Sequence, residues 1–217
     1  MAFEPWSGRT DLLIDVEGHG REALFDDLDV TRTVGWFTAL YPVRLVTEPG
    51  AGVMERLRAV KEALRAAPHG GLGYGLLRYL HGAAFEALRR APEAQVVLNY
   101  RGEGHARTDE LVFRRVAGAI GPSVHPDNPR RHLLEIDAAV TDGCFELHVA
   151  YSTARHRRET VQSLVDGVLG ALRALLAACR QPEAAALSPA DFPHARVSGR
   201  DLGRLLGRLT GNDRRSA

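Results

Sequence analysis

The chain has 217 residues, longer than one typical domain of about 150 residues and shorter than two. Hydrophobic residues make up 45% and charged residues 25% of it, the composition of an ordinary globular protein. Its 28 basic and 27 acidic side chains nearly cancel, so charge gives no reason to expect nucleic-acid binding. No apolar run approaches the ~18 residues of a membrane helix, and the first residues lack a signal-peptide pattern. Two cysteines cannot form a disulfide scaffold, which favours the cytoplasm.

The first part of the chain predicts two strands and a helix. Leu12–Val16 is a short apolar run that enters a glycine turn at Glu17–Gly20, which is typical of a strand and its end. Thr38–Val46 contains a proline and an arginine within apolar residues, which indicates an edge strand or an extended segment. Val53–Ala66 has apolar residues at helical spacing, and Pro68–Gly71 ends that helix.

The second part predicts a helix and a buried strand before an irregular stretch. Tyr74–Leu88 has helical spacing, and Ala94–Tyr100 is rich in valine and leucine. The stretch 102–132 contains three prolines and one extended piece at 111–116.

The last part predicts a hairpin, a long helix and a tail. Leu133–Val140 and Cys144–Tyr151 are strands joined at Thr141-Asp142-Gly143, a hairpin signal. Arg155–Arg180 is the longest helix, and a linker after Pro182 ends in a short helix at 201–209. Strands and helices do not alternate regularly, so we expect an α/β sandwich with helices against a mixed or mostly antiparallel sheet. Cys144 and Cys179 are expected to be buried packing residues.

Two glycine-rich motifs are weak signals of nucleotide binding. Gly18–Ala23 satisfies G-x-G-x-x-A after a strand, but the βαβ unit that this fingerprint requires does not close. Gly70–Gly75 lacks the Lys-Ser/Thr ending of a phosphate-binding loop, so a flexible connection between helices is the simpler interpretation. The nine histidines are scattered without metal-ligand spacing, and no nucleophile elbow is present.

Glu17 is the titratable residue that stands out. It ends an apolar strand, where a carboxylate can be desolvated, and desolvation raises its pKa towards the range of a general base. A plain turn carboxylate is the alternative, and position alone favours it.

Four ordered motifs resemble those of epimerization domains of nonribosomal peptide synthetases, within the condensation-domain superfamily. They are Glu17-Gly-His-Gly-Arg-Glu22, Arg32-Thr-Val-Gly-Trp-Phe-Thr-Ala-Leu-Tyr-Pro42, Pro68-His-Gly-Gly-Leu-Gly-Tyr-Gly75 and Leu98-Asn-Tyr-Arg-Gly102. The hairpin at Val140–Gly143, the stretch Tyr151–His156 and the linker-like Leu187–Pro193 are similar to later parts of that family. The resemblance covers roughly residues 6 to 207.

The resemblance implies a chloramphenicol-acetyltransferase-like two-layer α/β sandwich of which this chain is the C-terminal lobe. Residues 1–181 would be that lobe, and 182–217 a linker with a short terminal helix. The family inverts the α-carbon of an aminoacyl or peptidyl thioester on the phosphopantetheine arm of a carrier protein, from L to D. A peptidyl carrier protein, neighbouring synthetase modules and an N-terminal lobe are the implied partners; nucleic acid and membrane are not. No intrinsic cofactor or metal is implied.

The resemblance also implies site residues. Glu17 maps onto one acid/base, and Asn99 and Tyr100 onto an Asn-Tyr motif that can hydrogen-bond the thioester or enolate oxygen. Residues implied to line the substrate tunnel are His19, Gly20, Trp36, Gly73 and Tyr74. For Trp36, filling the core or lining the interface between the lobes is the alternative.

The sequence departs from the family in three ways. It contains no His-His-x-x-x-Asp-Gly motif, whose second histidine is the family's other acid/base, so we expect the N-terminal lobe that carries it to be absent from this chain. Arg101 stands where the family has leucine, and Leu98 where it has phenylalanine. Whether this chain is an enzyme is therefore open. It can be one part of a split enzyme, a truncated remnant or fragment, or a non-catalytic module that docks a carrier protein or synthetase. A lobe of a split enzyme is expected to expose apolar side chains towards its partner.

Overall fold

A five-stranded mixed sheet is the centre of the structure, a computed structural model that describes residues 1–80, 82, 85–104, 121, 124–125, 127–180, 201–202 and 204–205. The strands are β1 (Asp11–Gly18), β2 (Ala39–Val46), β3 (Val96–Gly104), β4 (Leu134–Thr141) and β5 (Cys144–Tyr151). Their order is β2-β1-β3-β4-β5. β1 and β3 pair in parallel, as do β3 and β4, whereas β4 and β5 are antiparallel.

Helical segments connect and flank the strands. The α-helices are α1 (Phe3–Ser7), α2 (Val53–Arg65), α3 (Glu86–Arg89) and α4 (Arg158–Cys179). A 3-10 turn at Pro68–Gly71 and a π-helical turn at Leu76–Leu80 lie between α2 and α3. By length and composition alone α4 could cross a membrane, but core helices of ordinary domains share these properties, so this is weak evidence.

The register of the sheet builds one apolar face. Ile14 of β1, Val96 of β3 and Leu134 of β4 lie side by side, and all three are buried. Ile136, two residues further along β4, is also buried. Side chains alternate between the faces of a strand, so burying these residues also fixes which side chains lie on the opposite face.

The hairpin between β4 and β5 follows from its turn residues. Asp142 and Gly143 have φ angles of 51° and 77°, so both central residues are in the left-handed region. This is the conformation of the type I′ turn, whose twist suits two-residue hairpins and which favours Asp-Gly.

The described chain divides into two compact units. One comprises residues 1–12, 44–68 and 167–217, and the other 13–43 and 69–166. In the first unit, Arg56 of α2 forms an ion pair with Glu4 of α1 at 2.7 Å. The second unit holds most of the sheet, and there the buried Arg78 pairs with Glu93 at 2.9 Å.

Most predicted elements are confirmed, including the mixed sheet and the mixed α/β class. The strand at β1, the edge strand β2, helix α2, strand β3, the hairpin and helix α4 lie where the sequence predicts them. The extended piece at 111–116 and the linker at 182–200 lie outside the described residues. The boundary between residues 181 and 182 stays a prediction.

Two predictions are wrong. In place of one helix over Tyr74–Leu88, the described residues form two short helical segments separated at Gly82, which has no regular structure. Glycine inside a helix costs about 1 kcal/mol relative to alanine, which explains a break there. Cys144 and Cys179 are exposed, because the edge strand β5 and the end of α4 leave their side chains uncovered.

Replacing Gly71 by alanine is expected to destabilise the fold. Gly71 has a φ of 77°, and a Cβ atom there would lie 2.0 Å from Cδ1 of the Tyr41 ring. We expect Gly71→Ala to lower the free energy of unfolding by about 1–3 kcal/mol, measured by urea denaturation of the purified chain. Gly75→Ala is the control, since a Cβ at Gly75 meets nothing within 4 Å. Equal stability of Gly71→Ala and wild type would contradict the packing described.

Candidate active site

The face of the sheet opposite the apolar core carries polar residues near the centre of the sheet. Asp15 lies level with Val97 and Glu135, and Asn99 lies level with Asp137. The same register places Glu17, two residues after Asp15, level with Asn99. Parallel strands that run side by side thus bring Glu17 and Asn99 together, although 81 other residues separate them in the sequence.

A cavity of 230 Å³ opens on this face. The residues that line it are Glu17, Leu40, Val97, Asn99, His132, Glu135, Ile136 and Asp137. Three of them are carboxylic acids and one is an amide, so the cavity can hold a proton on a carboxylate and donate a hydrogen bond to a substrate oxygen.

The surroundings of Glu17 disfavour its ionised form. Burial raises the pKa of Glu17 above the ordinary glutamate value of 4.5, and the nearby Asp137 carboxylate raises it further. Electrostatic attraction to His132 acts in the opposite direction. The direction is the one that desolvation at the end of an apolar strand would produce, and a raised carboxyl pKa suits proton exchange at neutral pH.

Asp15 and His132 form a buried pair next to the cavity. The Nε2 atom of His132 lies 2.7 Å from Oδ2 of Asp15, and each side chain is only 7% exposed. The imidazole lines the cavity, whereas Asp15 does not. Sequence reasoning missed this pair. Alternation along β1 could have placed Asp15 and Glu17 on one face, but nothing in the sequence links Asp15 to a histidine 117 positions away.

Tyr100 lies outside this cavity. It follows Asn99 directly in β3, so alternation puts its side chain on the other face of the strand, where it is 57% exposed. The structure therefore brings Glu17 and Asn99 together and separates Tyr100 from them.

The predicted tunnel-lining residues also lie outside the cavity. His19 is exposed; its Nδ1 atom accepts a 2.9 Å hydrogen bond from the Arg21 N–H, and its Nε2 atom lies 3.3 Å from the Glu22 carboxylate. Gly20 is buried. Trp36 is 89% exposed, which excludes the alternative that it fills the core of the described chain.

The other two predicted tunnel residues belong to the turns before α3. Gly73 is half-buried. The Tyr74 hydroxyl accepts a 2.8 Å hydrogen bond from the Arg78 guanidinium. Within the described residues, no group of three or more His, Cys, Asp or Glu side chains is placed to hold a metal ion.

The chain belongs to the condensation-domain family, whose model, described as "Condensation domain", matches residues 1–195. The resemblance to this superfamily seen in the sequence is thereby confirmed. One of the linear gramicidin synthase proteins of Brevibacillus parabrevis is 40% identical over 183 residues, which cover 83% of this chain and 2% of that protein. Chondramide synthase of Chondromyces crocatus is 41% identical over 215 residues, which cover 99% of this chain and 5% of that protein. The chain thus spans a small fraction of the curated relatives that it matches.

Solved structures show the same fold. The epimerization domain from the third module of tyrocidine synthetase B is 31% identical, with a TM-score of 0.74; the match covers 82% of this chain and 40% of that one. A condensation domain from the enacyloxin polyketide synthase matches with a TM-score of 0.53 at 14% identity, which shows the fold alone.

The raised pKa of Glu17 predicts a pH-dependent stability. Because the folded protein binds this proton more tightly than the unfolded chain, Glu17 contributes stability that is fully present at pH values below 4.5 and is lost as the pH rises through the folded-state pKa. In the Glu17→Gln variant this loss should be missing. Urea denaturation at a series of pH values checks this.

Asp11→Asn is a control of opposite sign. Hydrogen bonds from Arg44 and Arg9 lower the pKa of Asp11 below the ordinary 3.8, so its contribution to stability is lost as the pH falls through the lowered pKa. The prediction for Glu17 would be contradicted if the free energies of unfolding of wild type and Glu17→Gln changed in parallel with pH above 4.5.

Proposed function

We propose that this chain is the C-terminal lobe of an epimerization domain, which inverts the α-carbon of an aminoacyl or peptidyl thioester on a carrier protein. One observation carries the proposal: the sheet places Glu17, a carboxylate of raised pKa, beside Asn99 in one cavity. The similarity to a solved epimerization domain and the four sequence motifs support it.

The chemistry needs a base and a stabilised oxygen. A thioester acidifies its α-carbon, and the Glu17 carboxylate would take the α-proton as the electrons of the C–H bond move onto the thioester oxygen. The Asn99 amide N–H would donate a hydrogen bond to that enolate oxygen, where negative charge develops. Return of a proton to the opposite face of the carbon gives the inverted centre.

The second acid/base is proposed to come from an N-terminal lobe. Inversion requires groups near both faces of the α-carbon, and Glu17 approaches from a single sheet. The match to 40% of the solved epimerization domain chain supports the assignment of this chain to one lobe. The carrier protein would bring the phosphopantetheine arm, and neighbouring synthetase modules would supply and receive the substrate. The cytoplasm stays the predicted compartment.

The predicted roles of Tyr100 and the tunnel residues depend on contact with a second lobe or a carrier protein. Tyr100 and Trp36 are exposed, and a second lobe or a carrier protein would have to cover them for either to meet substrate.

An interaction module without catalysis is the second candidate, and exposed apolar side chains are the observation that raises it. The segment between β1 and β2 exposes Leu24, Phe25, Leu28, Val34 and Trp36. Exposed apolar surface of this kind marks an interaction site. It suits a partner lobe in a split enzyme and a docking partner in a non-catalytic module equally.

Replacing Glu17 by glutamine separates these functions. With a matched N-terminal lobe, wild type should exchange the substrate α-proton for deuterium in D₂O, followed by mass spectrometry of a carrier-bound aminoacyl thioester. Glu17→Gln should slow this exchange by about 100-fold or more, the usual contribution of a general base. Glu146→Gln, an exposed residue on β5, is the matched control and should keep the wild-type rate.

Two results would contradict this proposal, the first its assignment of the base and the second the epimerase activity itself. If the Glu17→Gln variant exchanged the α-proton at the wild-type rate, Glu17 would not be the base of the reaction. Carrier-protein binding by wild type and Glu17→Gln alike, with no exchange in either, would favour the interaction module.

A further inference from the structure

The buried Asp15–His132 pair lies where it can act on Glu17. Asp15 and Glu17 are two residues apart on β1 and therefore lie on one face. His132 is fixed just before β4, because the N–H groups of Leu133 and Leu134 both donate to the Gln95 carbonyl, at 2.8 and 3.2 Å. The pair thus ties β1 to the start of β4.

The geometry of the pair is that of an oriented imidazole. The Nε2 to Oδ2 distance of 2.7 Å is in the range of charge-assisted hydrogen bonds. Asp15 contacts the Nε2 atom of the ring. His132 and Glu17 both border the cavity. A carboxylate that holds one ring nitrogen fixes the tautomer and the ring plane, and so sets what the imidazole presents to its other neighbours.

Most of the ionisable side chains that border the cavity are acidic. Glu17, Glu135 and Asp137 all border the cavity, and among its lining residues His132 alone can carry a positive charge. Two carboxylates close together disfavour each other's ionised form, and an opposite charge restores it.

We propose that His132, held in place by Asp15, is a positioning residue that balances the charge of the Glu17 carboxylate for proton abstraction. This inference rests on the proposed function, because it assigns the pair a role in that reaction. A purely structural tie between β1 and β4 is the alternative, and it would leave the proton chemistry of Glu17 unchanged.

Other titratable groups face Glu17 and enter the pH dependence. They are Asp15 on β1, His132, Glu135 and Asp137 from β4 and the residues before it, and His148 on β5, which lies level with Asp137. The neighbours from β2 and β3 that border the cavity are Leu40, Val97 and Asn99, none of which titrates.

The test measures the pH dependence of α-proton exchange in the chain assembled with a matched N-terminal lobe. His132→Gln and Asp15→Asn should lower kcat at neutral pH by about 10-fold, within the range of coupling between residues of one charge network, with KM unchanged. In His132→Gln the loss of a positive charge from the cavity destabilises the Glu17 carboxylate, so the acid limb of the pH–rate profile should move to higher pH.

Glu4→Gln is the control for a structural effect. It breaks the Arg56–Glu4 ion pair, also 2.7 Å long, and should leave the acid limb in place whatever it does to stability. An unchanged acid limb in His132→Gln, with Glu17→Gln still inactive, would overturn this inference alone. Normal exchange in Glu17→Gln would instead overturn the role of Glu17 as the base in the proposed function.

A measurement on the wild-type chain covers the case in which both variants fail to fold. The ¹³C shift of the Glu17 carboxyl should show a second inflection at the pH where the His132 ring carbons titrate. A Glu17 curve without that inflection would overturn the proposal.

Discussion

The parallel pairing of β1, β3 and β4 is the constraint on which the site depends. Because side chains alternate, the register that buries Ile14, Val96 and Leu134 on one face places Glu17 and Asn99 on the other. A slip of one residue would exchange the two faces, exposing the apolar core and burying carboxylates without partners. The hydrophobic effect therefore holds the polar residues in position, although it does not act on them directly.

The Asp15–His132 pair is the polar counterpart of this constraint. An unpaired charge buried in the sheet would cost several kcal/mol, so each of the two side chains requires the other. Because the partners lie on β1 and just before β4, they meet only when β3 separates the two strands in the correct order. The pair thus favours the native strand order as well as orienting an imidazole at the cavity.

The segment between β1 and β2 holds exposed apolar side chains without regular secondary structure of its own. The Arg21 guanidinium donates to the carbonyl oxygens of Val30 and Thr33 and lies 4.2 Å from the centre of the Phe37 ring. One side chain thereby holds several parts of the segment together. Apolar residues on a backbone fixed in this way lose little conformational entropy when a partner covers them.

The sequence by itself indicated the family, the positions of most strands and helices, the hairpin turn and Glu17 as a candidate acid/base. These features depend on local periodicity, on turn residues such as Asp142-Gly143, and on motifs contiguous in the chain. Tertiary structure alone decided that Asn99 joins Glu17 while its neighbour Tyr100 does not, that His132 meets Asp15, and that Cys144 and Cys179 are exposed. Strand order, register and the cover over each face decide these points, and such contacts between distant parts of the chain leave no local pattern in the sequence.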